Sequence, residues 1–258
     1  MSQNAEGPPP AHPRRDGELG TFLVGLLCLM VELLHTRMLA FFLGSISNFL
    51  AIPVSLFGLA VGSLLVHRAR NGEGPDARRL IAILQALVLP VLAVAFVAFF
   101  AVANAFFPVI HVSLENPYGD AARLMAYAGI FLPSYAMFGA LLALYFEEGA
   151  QSIGRLYFFD LAGAASGCLL APLVLTWAGL PPAIIAVLLG ALALLAVTPL
   201  ARRRLAVGAG AAGFCVVAFL AWRGSVFAEH PDVARFAPRF ERRNERFFGF
   251  IRFRACFH

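Results

Sequence analysis

Lysine is absent from this chain: all 20 of its basic residues are arginine. Charge of either sign is scarce. Charged residues make up 14% of the 258 positions, against about 25% in an average soluble domain. That leaves too little charge for a solvated skin, which excludes an ordinary soluble globular protein. Disorder is excluded from the other side, because 60% of residues are hydrophobic and the mean hydropathy is +0.79. Cysteine is also rare, with four in all, no CxxC pair and no Cys/His spacing suited to zinc. Cys28, Cys168 and Cys215 lie in apolar runs and read as small hydrophobes, while Cys256 lies near the C-terminus. The missing lysine, beside heavy use of Ala, Gly and Pro, reads as a codon-composition bias. The net charge of +5 would suit a nucleic-acid partner, yet most arginines flank apolar blocks, where they serve topology. No nucleic acid, metal or cofactor is expected.

What the chain has in quantity is long apolar runs. A helix needs roughly 20 apolar residues to cross about 30 Å of hydrocarbon. Seven segments qualify: Leu19–Leu43, Ile46–Val66, Leu80–Phe107, Ala122–Phe146, Leu156–Ala178, Pro182–Leu200 and Leu205–Trp222. Turn formers such as Asn71-Gly72, Asn116-Pro117 and Pro181-Pro182 punctuate them. The expectation is an all-α polytopic membrane bundle over 19–222, with a lipid bilayer as its surroundings. Residues 1–18 read as a polar, Pro-rich tail, and 223–258 as an Arg/Phe-rich tail. The latter suits either an interfacial segment or the abrupt end of a longer gene. Ten arginines fall on the N-terminal side of the alternating loops and one, Arg123, on the other. The positive-inside rule therefore predicts a cytoplasmic N-terminus in a cell membrane.

Ionisable residues inside apolar runs are the first place to look for function, since each costs roughly 2.5–3.5 kcal/mol at a helix centre on insertion scales. The first run holds Glu32, His35 and Arg37. Glu32, His35 and Thr36 share a helix face at i, i+3 and i+4. Arg37 lies about 140° round the helix from Glu32 and suits an interfacial position. The Glu32–His35 face fits a proton or ligand contact as well as a structural pair. Asp160, in the fifth run, lies roughly 6–9 Å deep, whereas Arg37 lies roughly 27 Å along its helix at 1.5 Å per residue. Asp160 is therefore expected to meet a nearer arginine, such as Arg155 or one from the second loop. Gln85 and Pro90 in the third run, and Pro133, Ser134 and Tyr135 in the fourth, mark expected kinks. His111, Glu115 and Asp120 are too scattered to suggest a metal site.

Two small-residue motifs recur. Gly58-Leu-Ala-Val-Gly62-Ser-Leu-Leu and Gly163-Ala-Ala-Ser-Gly167-Cys-Leu-Leu match at five of eight positions. Both are GxxxG, which lets helix backbones approach closely. They suit either common packing motifs or an internal repeat. Gly208-Ala-Gly210-Ala-Ala-Gly213 spells a dinucleotide fingerprint, but it runs straight into an apolar segment with no strand before it.

Several of these stretches together resemble membrane-bound spermidine-synthase-like proteins. Glu32-Leu-Leu-His-Thr36-Arg37 resembles the motif in their first span, and Phe57-Gly-Leu-Ala-Val-Gly62 the Gly-rich end of their second. Leu132-Pro-Ser-Tyr-Ala-Met-Phe-Gly139 is similar to a further segment. The longest match is Ile153-Gly-Arg155-Leu-Tyr157-Phe-Phe-Asp160-Leu-Ala-Gly163-Ala-Ala-Ser-Gly167-Cys-Leu-Leu. The likeness covers roughly residues 20–200. It implies a membrane domain likened to half of a major-facilitator transporter, followed in that family by a soluble aminopropyltransferase domain. This chain shows no Gly-rich loop on a strand and no acidic pair to deprotonate an amine. No catalytic residue carries over, and the chain itself is expected to do no chemistry. Two other readings stay open. One is a transporter-like bundle that binds or moves a small polar or cationic solute past Glu32, His35 and Asp160. The other is an anchor or packing module for a separate catalytic chain.

Overall fold

The computed structural model describes residues 15–43, 48–70, 76–106 and 125–197. They form long apolar helices, and no strand occurs among them. The helices are α1 (Arg15–Leu43), α2 (Asn48–Arg70), α3 (Ala77–Phe106), α4 (Leu132–Glu148), α5 (Ile153–Trp177) and α6 (Leu180–Ala196). A short helical segment at 125–129 leads into α4. Five stretches are long and apolar enough to cross a membrane: Asp16–Ala40, Phe49–Arg70, Ala77–Val102, Met125–Glu148 and Ala150–Trp177. This is a helical membrane protein. The expected sixth run forms the shorter apolar helix Pro182–Ala196, and the expected seventh lies outside the described residues.

Local sequence explains the helix ends. α1 starts at Arg15, four residues before the apolar run, so the last part of the expected polar tail is helical. Asp16 and Glu18 sit in its first turn, where acidic groups complement the helix dipole. The expected break near Pro133 falls at residues 130–131, with Pro133 in the first turn of α4, where its missing N–H costs nothing. Pro90 lies within α3, which stays helical on both sides of it. Gly179, at φ 85°, makes the reversal between α5 and α6 in a conformation that side chains rarely adopt.

Hydroxyls in these apolar helices bond backward along their own turn. Thr21 donates to the Gly17 carbonyl, Thr36 to Glu32 and Ser166 to Ala162, each at 2.8 Å. No hydroxyl in these three is left bare in an apolar setting.

α1 is the central helix. Buried positions make up 56% of its apolar window, against 17% for α5, which packs on it through one narrow face. That face is the Gly163–Gly167 motif. A Cβ at Gly163 would overlap the Phe22 carbonyl, and one at Gly167 would overlap that of Leu26. Four residues on along one helix match four along the other, so α1 and α5 run parallel. The contact is reciprocal, because a Cβ at Gly25 would strike the Asp160 carbonyl oxygen. α2 and α4 form a second pair of the same kind. A Cβ at Gly62 would overlap the Ala136 carbonyl, and one at Gly139 would overlap that of Leu59. Gly25 with Gly163, and Gly62 with Gly139, each face the carbonyl three residues before the partner glycine. Ser63 adds a bond across the second pair, its hydroxyl 3.2 Å from the Gly139 carbonyl oxygen.

α3 runs antiparallel to α4, with Tyr127 donating to the Val102 carbonyl at one end and Gln85 donating to Tyr145 at the other. Phe96, Phe99, Tyr127 and Phe131 fill the space between them with edge-on and tilted rings. α6 closes the core against α1 and α3, with Gly190 facing Leu27 and the Leu194 carbonyl facing Gln85.

Candidate functional site

The polar side chains of the interior gather where α1 faces α2 and α4. His35 is fully buried on α1. Its Nδ1 lies 3.2 Å from the Tyr135 hydroxyl of α4, and its ring lies 4.6 Å from that of Phe131. Its Nε2 is buried with no hydrogen-bond partner among the described residues. One turn back along α1, Glu32 is half-buried, with Ser55 of α2 nearby. Ser55 donates its hydroxyl proton to the Ile52 carbonyl at 2.9 Å. Another turn back, Cys28 is buried within electrostatic reach of both Glu32 and Asp160. Ser134, beside Tyr135, is buried with an unpartnered hydroxyl.

The sequence placed Glu32, His35 and Thr36 on one face. His35 is buried, Glu32 and Thr36 are half-buried, and Arg37 is exposed on the other side of α1. Asp160 is half-buried on α5, at the level of Gly25, two turns from Glu32. Among the described residues neither Glu32 nor Asp160 has an ion-pair partner. The interior is therefore a site with two carboxyls, a histidine and hydroxyls. Its chemistry suits a proton, a cation or a polar solute with donors to offer. Among the described residues no group of three His, Cys, Asp or Glu side chains converges to hold a metal.

The expected Asp160–Arg155 pair is not formed. Arg155 reaches Glu18 on α1 instead, with Nε 2.8 Å from one carboxylate oxygen and Nη2 3.1 Å from the other. Positions 155 and 160 lie about 140° apart on a helix, so the two side chains leave α5 on different faces. Tyr157 is exposed. Gly58, Gly62, Gly163 and Gly167 are all buried at the two close helix crossings, with Gly58 against the Tyr135 Cβ. His111, Glu115, Asp120, Cys215, Cys256, the Gly208–Gly213 stretch and both tail ends lie outside the described residues.

Three functional groups escaped sequence reasoning. Tyr135 counted only as a kink marker, although it carries the bond to His35. Glu18 counted as part of a polar tail, yet it is buried and paired. Gln85 and Tyr145 form a second buried polar contact, at 2.7 Å, below the first. Glu18 had a signal: it stands seven residues before Gly25, as Arg155 stands eight before Gly163.

No family model, no curated protein sequence and no solved structure matches this chain.

Proposed function

We propose that this chain is a multi-pass membrane protein whose bundle binds a small polar or cationic solute between α1, α2 and α4. The observation that carries the reading is the pair Glu32 and His35. They share one helix face, and among the described residues neither is neutralised by a cation and the His35 Nε2 has no partner. Unpaired polar groups at such depth are costly and are kept where they serve a pathway or ligand. Glu32 would take the positive or donor end of the solute. His35, held by Tyr135, would offer its free ring nitrogen. Asp160, two turns away, would line the approach.

The motifs over roughly residues 20–200 support a further step. This bundle would correspond to the membrane half of a spermidine-synthase-like protein, with about seven spans and the character of half a major-facilitator-type transporter. The aminopropyltransferase domain would then come from elsewhere. The arginines of the α2–α3 and α5 ends favour a cytoplasmic N-terminus in a cell membrane.

The test uses the full chain in proteoliposomes and a panel of labelled organic cations and neutral polar solutes. Glu32→Gln is expected to cut uptake by at least about tenfold, the scale of one lost charge-assisted contact. Its expression and gel-filtration profile should match those of the original protein. Uptake unchanged in Glu32→Gln would sink the reading. Binding of nothing in the panel by the original protein would favour an anchor for a separate catalytic chain.

A further inference from the structure

Four of the helices form two pairs that are each locked internally and meet along the polar seam. The first unit is α1 with α5. Its helices are joined by the reciprocal glycine contacts at Gly25, Gly163 and Gly167, and by the Glu18–Arg155 pair one end away. The second is α2 with α4. It is joined in the same way at Gly58, Gly62 and Gly139, and by the Arg70–Glu147 pair at 2.8 Å. The spacing repeats. Glu18 and Arg155 stand seven and eight residues before their glycines, and Arg70 and Glu147 stand eight after theirs. Each unit is thus fixed at two points along its length, by backbone contact and by charge. A pair of helices held at two points has little freedom to shear.

The seam between the units is built differently. Most glycines at the close crossings face a helix of their own unit. Across the seam, His35 meets Tyr135 at 3.2 Å, next to Glu32 and Ser55. Gly20 meets Tyr145 through the far end of an aromatic side chain, which can turn aside. The seam is therefore the surface along which this bundle yields most easily, and the polar groups lie on it.

We infer that α1–α5 and α2–α4 move against each other as two rigid units, with the His35–Tyr135 bond as the latch that holds the seam shut. Opening the latch exposes Glu32 and Cys28 together. The inference concerns the same residues as the solute site proposed above, and it rests on that reading only for why opening matters. The motion is measured with no solute present, so its failure is distinguishable from failure of solute binding.

Cys28 supplies the reporter, because it is buried beside Glu32 and within electrostatic reach of Tyr135. In a Cys168→Ser, Cys215→Ser, Cys256→Ser background it is the sole thiol. Tyr135→Phe is expected to raise its alkylation by N-ethylmaleimide roughly five- to tenfold, the effect of one lost buried hydrogen bond on a two-state population. Spin labels give a second measurement that needs no latch variant. Leu19 and Leu173 are exposed on the two helices of one unit, and Leu56 is exposed on the other unit. In a fully cysteine-free background, the Leu19–Leu173 pair is expected to give one narrow distance distribution. The Leu56–Leu173 pair should give a broad or two-peaked one. Two outcomes overturn the inference: narrow single distributions for both pairs with unchanged Cys28 labelling, or equal broadening of both pairs.

Discussion

At the residue scale, the ion pair between Glu18 and Arg155 is asymmetric. The Glu18 side chain is 8% exposed and that of Arg155 is 58% exposed. Removing the arginine strands a buried carboxylate, whereas removing the acid leaves an arginine that water already reaches. Arg155→Ala should therefore cost more than Glu18→Gln. We expect about 1–2 kcal/mol for Arg155→Ala, below the ~3–5 kcal/mol of a fully buried pair because one partner is wet. That corresponds to a fall of about 2–8 °C in Tm, read by thermal unfolding in detergent. Adding Glu18→Gln to Arg155→Ala should restore part of the loss, and no restoration would contradict the assigned pairing. Buried Gln85 gives a second case. Tyr145→Phe removes its 2.7 Å bond from the Gln85 amide, which also faces the Leu194 carbonyl at 3.5 Å. A loss of about 0.5–1.5 kcal/mol is expected, the net worth of one hydrogen bond, read by thermal unfolding.

Helix elements show most clearly what can be read from sequence. Gly62→Leu forces a side chain into the Ala136 carbonyl, which is backbone and cannot turn aside. The α2–α4 pair must then part, with an expected loss of at least about 3 kcal/mol and a matching fall in monodisperse yield. Gly154→Ala is the control, since its Cβ would meet nothing within 4 Å. It should be neutral or slightly stabilising by helix propensity. The helices themselves were legible, because a membrane-length apolar run has few other ways to satisfy its backbone. The close crossings were half legible. GxxxG announced that Gly58, Gly62, Gly163 and Gly167 would sit at interfaces, but a spacing does not name a partner. Gly25 and Gly139, which complete the two crossings, stand outside any such motif. The pairing of Asp160 with Arg155 failed for a reason of helical phase, which a depth argument along the axis does not contain. His35 was legible as an interior residue. Its bond to Tyr135 was not, because it joins positions 100 residues apart.

At the scale of the whole molecule, the interhelical ion pairs Glu18–Arg155, Arg70–Glu147 and Arg78–Glu148 lie at one end. That end holds the start of α1, α3 and α5 and the finish of α2 and α4, as an alternating up-and-down path requires. Reporter fusions test which side it faces. Green fluorescent protein fused after Arg70 should glow, and alkaline phosphatase fused after Leu43 should be active, if the arginine-rich end is cytoplasmic. The reverse pattern would invert the proposed topology. One contact in this fold also bears on how the chain is made. Glu18 emerges from the ribosome before its partner, which is encoded 137 residues later. At about 5–20 residues per second, that is a wait of roughly 7–27 s. Throughout it, α1 sits in the bilayer with its glycine face and its acid uncovered. The central helix arrives long before the helix that completes it, so the insertion machinery or another helix must shelter it until α5 comes.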